Sequence, residues 1–431
     1  MASLYGVPPD SALADWPLSY DDLAPWYERV EWELGVAGDS ERIKVQTARA
    51  RPYPLPPVPP AAKTYPLQRG ADALGWPTFP VPLAINTVPY GGRAACLQCT
   101  ECVGFACPTD AKNGTHNTYL PRALATGNCE IEVGAIAQRI ETDESGRVVG
   151  LKYFAPVNGS YESRRVGAKV VICAAGAIET ARLLLHSASK QEPQGLGNAH
   201  DLVGRHLQGH YYTGALGATE EIVFDNQGPG VTIATNRWNH GNDGLVGGGM
   251  LADDFIKQPI DFWRGALPPD LPRWGKANKA WMRDNYRRTL HVAGPIQDIP
   301  HRDARVQLDH NLRDAWGIPV AHLSGTTHPE TVRVAEFMRH RAEEWLRAAG
   351  CHQVWSYARG LALSAGQHQA GTCRIGTNPQ TSVCDRFGRV HNHDNLFVCD
   401  GSLHVTNGGF NPFLTIMALS ARNADFIARQ L

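Results

Sequence analysis

Four cysteines are bunched in one short stretch, Cys96, Cys99, Cys102 and Cys107, with Pro108 following. Thiolates at this spacing suit ligation of an iron–sulfur cluster or a zinc ion. The alternative is a loop of reduced thiols that holds no metal. A second stretch lies near the C-terminus: Asp400-Gly-Ser402, then Gly408-Gly-Phe-Asn-Pro412, leading into an apolar run that reaches Leu419. Pro412 suits the first position of a helix and Asn411 its N-cap. The glycine pair lets the backbone approach a ligand closely. Free N–H groups and the partial positive charge of the helix start would stabilise an electron-rich group there. The plainer reading is an ordinary capped helix after a loop. His206 and His210 have the spacing of a metal pair on one helix face, but Gly204 and Gly209 argue against a helix. No metal is expected there. His391 and His393 fall in a polar turn and are expected to be solvated. His368, taken alone, reads as a hydrogen-bonded loop histidine.

The elements that must position these groups follow from periodicity and turn residues. Residues 17–36 are predicted helical, with Pro25 in the first turn, Asp21 and Asp22 near its positive end, and Gly35 as a stop. Residues 51–62 are Pro-rich and form an extended connector. Strands are predicted at 131–140 and 148–154 around the turn Asp143-Glu-Ser-Gly146. A short apolar strand, 169–173, runs through Ala174-Ala-Gly176 into a helix at 178–187, the layout in which a cofactor lies past the strand's carboxyl end. Residues 206–355 read as a sheet-based region closed by a helix at 329–349, and 396–399 as a strand.

A chain of 431 residues suits two interleaved domains. Its formal charge of −1 gives no footprint for nucleic acid or an anionic membrane. No apolar run is long enough to predict a transmembrane helix. The ten cysteines are mostly scattered, which fits a reducing compartment and a cytoplasmic location. An export signal lost with a missing N-terminus would alter that expectation.

Several segments, taken in order, resemble the glucose–methanol–choline (GMC) oxidoreductases. They are Asp15-Trp-Pro-Leu-Ser-Tyr-Asp-Asp-Leu-Ala-Pro-Trp-Tyr27, Glu33-Leu-Gly-Val36, and Val171 to Ser187. Val306-Gln-Leu-Asp309 through Val320, Gln367 to Gly376, Val390 to Asp400 and Gly409-Phe-Asn-Pro412 continue the series. The likeness spans nearly the whole chain. It implies an enzyme that uses flavin adenine dinucleotide (FAD) and oxidises a CH–OH group by hydride transfer to flavin N5. His368 falls on the family's active-site histidine and Asn411 on its partner, which is His or Asn among members. An imidazole poised near neutral pH suits removal of the hydroxyl proton, and an amide can hold the same oxygen. By the same resemblance Asp400 and Gly401 meet the flavin's phosphates or ribityl chain, and Asn411 and Pro412 its ring. The 131–137 part of the first strand, with Ala137, and Ala175 and Gly176 serve the adenosine side.

The implied fold is mixed α/β: a GMC-type FAD-binding domain plus an antiparallel-sheet substrate domain. The expected division is 1–84 helical and connector, 85–205 FAD-binding with the Cys-rich loop, 206–355 substrate domain, and 356–431 FAD-binding and catalytic. One departure stands out. No G-x-G-x-x-G between a strand and a helix occurs, so the chain reads as lacking the N-terminal βαβ unit and is expected to hold flavin weakly. Some family dehydrogenases carry a three-iron cluster on a related loop, but with a spacing unlike Cys96–Cys107, and the metal-free reading is favoured. The implied substrate is a small sugar, glycoside or polyol, with the electron acceptor undefined. The alternatives are an inactive fragment without the pyrophosphate site, and an iron–sulfur electron-transfer subunit.

Overall fold

The computed structural model describes residues 1–43, 49–102, 104–225, 227–255, 257–358 and 360–431. The first helices are α1 (Ala2–Tyr5), α2 (Tyr20–Leu34), α3 (Thr64–Ala73) and α4 (Tyr119–Ala125). Strands β1 (Ile136–Thr142), β2 (Val148–Val157), β3 (Ser160–Gly167) and β4 (Val171–Cys173) lead to α5 (Gly176–His186). Then come β5 (Tyr211–Ala218), β6 (Ala234–Thr235), β7 (Leu251–Asp253), α6 (Pro259–Gly265), α7 (Lys276–Asn285), β8 (Thr289–Ile296), β9 (Arg305–Arg313) and β10 (Pro319–Ser324). Helix α8 (Pro329–Ala348), β11 (Gln353–Ser356), β12 (Leu396–Val398) and α9 (Phe413–Ala428) complete the order.

The central sheet runs β11-β5-β8-β7-β6 and is antiparallel throughout. Alternation along β5 gives it two unlike faces. Tyr211 and Ala215 point into a core with Val292, Ile296, and Val334, Met338 and Trp345 of α8. The Thr213 hydroxyl on that face donates to the Ala335 carbonyl at 3.0 Å, which satisfies a buried polar group. The opposite face carries Tyr212 and Gly214, both partly exposed.

A second core gathers around the parallel pair β4–β12, in register Val171↔Leu396 to Cys173↔Val398. Its strand ends are where the sequence placed a cofactor. Among the described residues this sheet has two strands, and Ile172 on it is exposed. The β9–β10 ladder packs on α5, with Ala304 and Val306 buried in this second core instead of the central sheet's.

Several local expectations shift. Helix α2 begins at a capping box: the Ser19 hydroxyl accepts from the Asp22 N–H at 3.2 Å, and the Asp22 carboxylate from the Ser19 N–H at 2.8 Å. Pro25 therefore lies beyond the first turn, inside the helix. Gly35 stops α2 in the left-handed region, as its spacing predicted. The strand expected from residue 131 starts at Ile136, because Gly134 turns the chain at φ +73°. Helix α9 starts at Phe413 with Pro412 as its cap, so Asn411 is not the N-cap and is exposed. His393 is not solvated. It is buried, with Nε2 2.9 Å from a Glu192 oxygen, and His391 Nε2 lies 2.9 Å from the Ser382 hydroxyl.

Candidate active site

The segment before β5 and the loop before β12 are zipped together. Gln208 and Ala370 exchange backbone hydrogen bonds of 3.1 and 2.8 Å, and the His210 N–H donates to the Gln367 carbonyl at 3.2 Å. Gly209 permits the approach: a Cβ there would fall 2.6 Å from the Ser364 carbonyl oxygen. His368, held at φ +56°, is thereby laid on His210. Their Nδ1 atoms are 2.8 Å apart and their rings cross edge to face at 4.9 Å. A conformation this uncommon for a side-chain-bearing residue persists only where its surroundings enforce it. Asn407 does so, its amide donating to the His368 carbonyl at 2.7 Å and to the Gly209 carbonyl at 3.1 Å.

The proton positions follow from the acceptors. His210 Nε2 lies 3.0 Å from the Gly408 carbonyl and 3.3 Å from that of Asn407. A carbonyl only accepts, so His210 carries its hydrogen on Nε2. Burial, followed by the nearby His368, pushes the His210 imidazole down to about 4, and burial also lowers His368. Both rings are neutral near pH 7. His210 Nδ1 is then a bare acceptor, and His368 must donate to it from Nδ1. What remains on His368 is an unprotonated Nε2, a base free to accept a proton. Tyr212 flanks the pair, its ring 6.1 Å from that of His368.

The carboxyl ends of β4 and β12 meet through Asp400. One carboxylate oxygen accepts from the Gly176 N–H at 2.9 Å and the Thr180 hydroxyl at 2.5 Å. The other accepts from the Ser402 N–H at 2.9 Å and from the Ser402 hydroxyl. The group is spent on holding two loops together. Ala175 is exposed, and Gly176, at φ +82°, has open space where a Cβ would stand. Gly401 is buried, its Cβ position 2.9 Å from the Gln369 carbonyl, which ties this turn to the His368 loop. At the start of α9 no side chain caps the helix, and Asn411 and Phe413 are exposed around its free N–H groups.

The sequence-derived residues thus fall into two groups. His368 joins His210, and Asp400 joins Gly176. Asn411 makes no hydrogen bond to His368 among the described residues, and Ala137 is exposed on β1 in the separate three-stranded sheet. His210 and Asn407 were missed. The spacing of His206 and His210 points only to a metal pair, although an imidazole beside a glycine ahead of a buried strand is a signal for close loop contact. The Cys96–Cys107 thiols are partly exposed and unpaired. The Cys107 sulfur accepts from the Ala111 N–H and that of Cys96 from the Gln98 N–H, both at 3.3 Å. Among the described residues no three His, Cys, Asp or Glu side chains are placed to hold a metal.

Two models of the GMC oxidoreductase family match the chain, an N-terminal one over residues 8–212 and a C-terminal one over 300–420. The chain is similar to 6'''-hydroxyparomomycin C oxidase of Streptomyces lividus, at 34% identity over 96% of this chain and 72% of that protein. It is 31% identical to 2-methyl-1,2-propanediol dehydrogenase of Mycolicibacterium austroafricanum, over 96% and 75% of the two chains. Against the fructose dehydrogenase large subunit of Gluconobacter japonicus the identity is 29%, over 100% and 76%. An FAD-dependent oxidoreductase from Chaetomium thermophilum shares the fold at a TM-score of 0.60 and 14% identity, over 96% of this chain and 80% of the other.

Proposed function

The chain belongs to the GMC oxidoreductase family, and from that membership we propose that it oxidises a CH–OH group of a sugar, glycoside or polyol, with His368 taking the hydroxyl proton. The observation that carries this reading is the His210–His368 pair, whose hydrogen bonding leaves His368 Nε2 bare. Hydride leaves an alcohol carbon readily only as the O–H proton departs, so a neutral base at that oxygen is the chemical requirement. Once His368 is protonated, its Nδ1–H still donates to His210, and the His210 Nε2–H to the Gly408 and Asn407 carbonyls. The new charge is spread along a chain of hydrogen bonds that is already formed.

The family binds FAD. The residues present fit it: the uncapped start of α9, with exposed Asn411 beside buried Pro412, would meet the flavin ring, and the opening at Ala175 and Gly176 would meet the adenosine side. When bound, FAD supplies the hydride acceptor. Asp400 acts on this cradle through Gly176 and Ser402, since its own oxygens are taken. Asn411, exposed beside the helix start, is the amide available to position the substrate oxygen. The substrate class rests on relatives named for oxidising an aminoglycoside, a diol and fructose.

His368→Ala tests the reading in the FAD-loaded protein. It is expected to slow substrate-driven bleaching of the flavin absorbance by roughly two to four orders of magnitude, the usual worth of a general base. A change under about threefold at equal FAD content removes His368 from the role.

A further inference from the structure

The face of the central sheet that carries Tyr212 continues past the histidine pair. Next along β5 comes Gly214, and in register on β8 stand Pro295, Ala293 and His291. Ala252 of β7 sits opposite Ala293 but is buried in a core with Phe79 and Val231, so the partly exposed middle of this face is the small pair Gly214 and Ala293. At its far end His291 Nδ1 lies 2.7 Å from Asp254 Oδ2, and Lys257 Nζ reaches the same oxygen at 2.5 Å. Lys63 Nζ donates to the Asp254 main-chain carbonyl and lies 3.5 Å from buried Asp253. His291 is opposite Leu216, four residues from Tyr212, or roughly 13 Å at the rise of a strand. That is longer than one sugar ring. The two ends share a field: burial and then the Asp254 charge push the Tyr212 phenol up to about 12.

The balance of donors and acceptors selects the ligand. Burial would raise the Asp254 carboxyl, but His291 and Lys257 hold it well below the ordinary range, so it is an anion. Both partners use Oδ2, and Oδ1 carries no hydrogen bond among the described residues. Each lysine ammonium has three hydrogens and spends fewer than three here. A hydroxyl can donate to Oδ1 and accept from a lysine. A ligand ammonium can only donate, and it meets two like charges. The cavity among these groups, walled by Phe224 and Tyr286, is about 40 Å³, room for a hydroxyl-bearing substituent but not a ring.

We propose that Asp254, Lys257, Lys63 and His291 form a subsite for hydroxyl groups on a neutral sugar ring linked to the one oxidised at His368. This rests on His368 marking the reacting end. Calorimetric titration of the FAD-loaded protein with maltose, glucose and the cationic glucosamine dimer tests it. Maltose is expected to bind at least tenfold more tightly than either. Asp254→Asn and Lys257→Met are expected to cost about tenfold for maltose and under twofold for glucose. Maltose binding no tighter than glucose, tighter binding of the glucosamine dimer, or equal losses for both neutral sugars would overturn the subsite. The wild-type ranking decides the matter if a variant does not fold. Failure of the oxidation reading shows separately, as undiminished turnover in His368→Ala with sugar binding intact.

Discussion

Replacing His210 by phenylalanine isolates what the histidine pair does. The ring keeps its bulk beside Tyr212, where the His210 and Tyr212 centroids are 6.3 Å apart, but the Nδ1 acceptor is gone. In the neutral enzyme the loss frees His368 to carry its proton on either nitrogen. In the protonated enzyme it removes a hydrogen bond from an imidazolium. Bonds to charged groups contribute about 1.5–3 kcal/mol net. At about 1.4 kcal/mol per factor of ten, flavin reduction should slow by roughly 10- to 150-fold. The pH dependence separates this from simple damage. Burial already lowers His368, so the acid limb of kcat/KM should lie below pH 6.5 in the wild type. Without an acceptor the imidazolium is less stable, and in His210→Phe the limb should move to still lower pH while the plateau falls. His210→Gln, whose carbonyl oxygen can accept from Nδ1–H, should recover most of the rate. Stopped-flow bleaching across pH, at matched FAD content, measures all three. A loss under threefold, or a lower plateau with an unmoved acid limb, refutes the relay.

Asp400→Asn puts an amide hydrogen against donors that now bond a carboxylate, and should lower stability by about 1.5–3 kcal/mol in urea unfolding and reduce bound FAD; unchanged values for both would show that the tie between β4 and β12 is dispensable. Acid should destabilise the protein early. Burial holds His206 down to about 3 and His210 and His404 to about 4, so in the unfolded chain these imidazoles take protons near pH 6.5 while the folded ones do not. Their neutral burial costs nothing above pH 6.5, and stability drains as pH falls from there towards 4, by roughly 2 kcal/mol per histidine at pH 5. Equal urea midpoints at pH 7 and pH 5 would contradict this. Anaerobically purified protein should contain far less than one iron and one sulfide per chain; stoichiometric iron with a broad absorbance near 400 nm would restore the cluster at Cys96–Cys107.

Much of the local structure was readable from residue types alone. Gly35 ends α2, Asp143 to Gly146 turns β1 into β2, and the short strand before Gly176 opens a helix, because each depends on neighbours a few residues away. The family likeness likewise rests on short segments kept in order along the chain. Boundaries shifted where two local signals competed, as at Ser19, whose reciprocal bonds with Asp22 outrank a proline as a helix start. Only the tertiary structure joined His210 to His368 across 158 residues. That pairing depends on the Gln208–Ala370 bridge, on Gly209 admitting a second backbone, and on which carbonyls face His210 Nε2. Periodicity carries no information about any of these. Asn411 shows the converse: its residue type fits a helix cap, but the cap fell one residue later and left its amide exposed. A side chain's type limits the chemistry available to it. Its protonation and its partners are decided by groups brought alongside from distant parts of the chain, since hydrogen bonds and burial act through space and take no account of sequence separation.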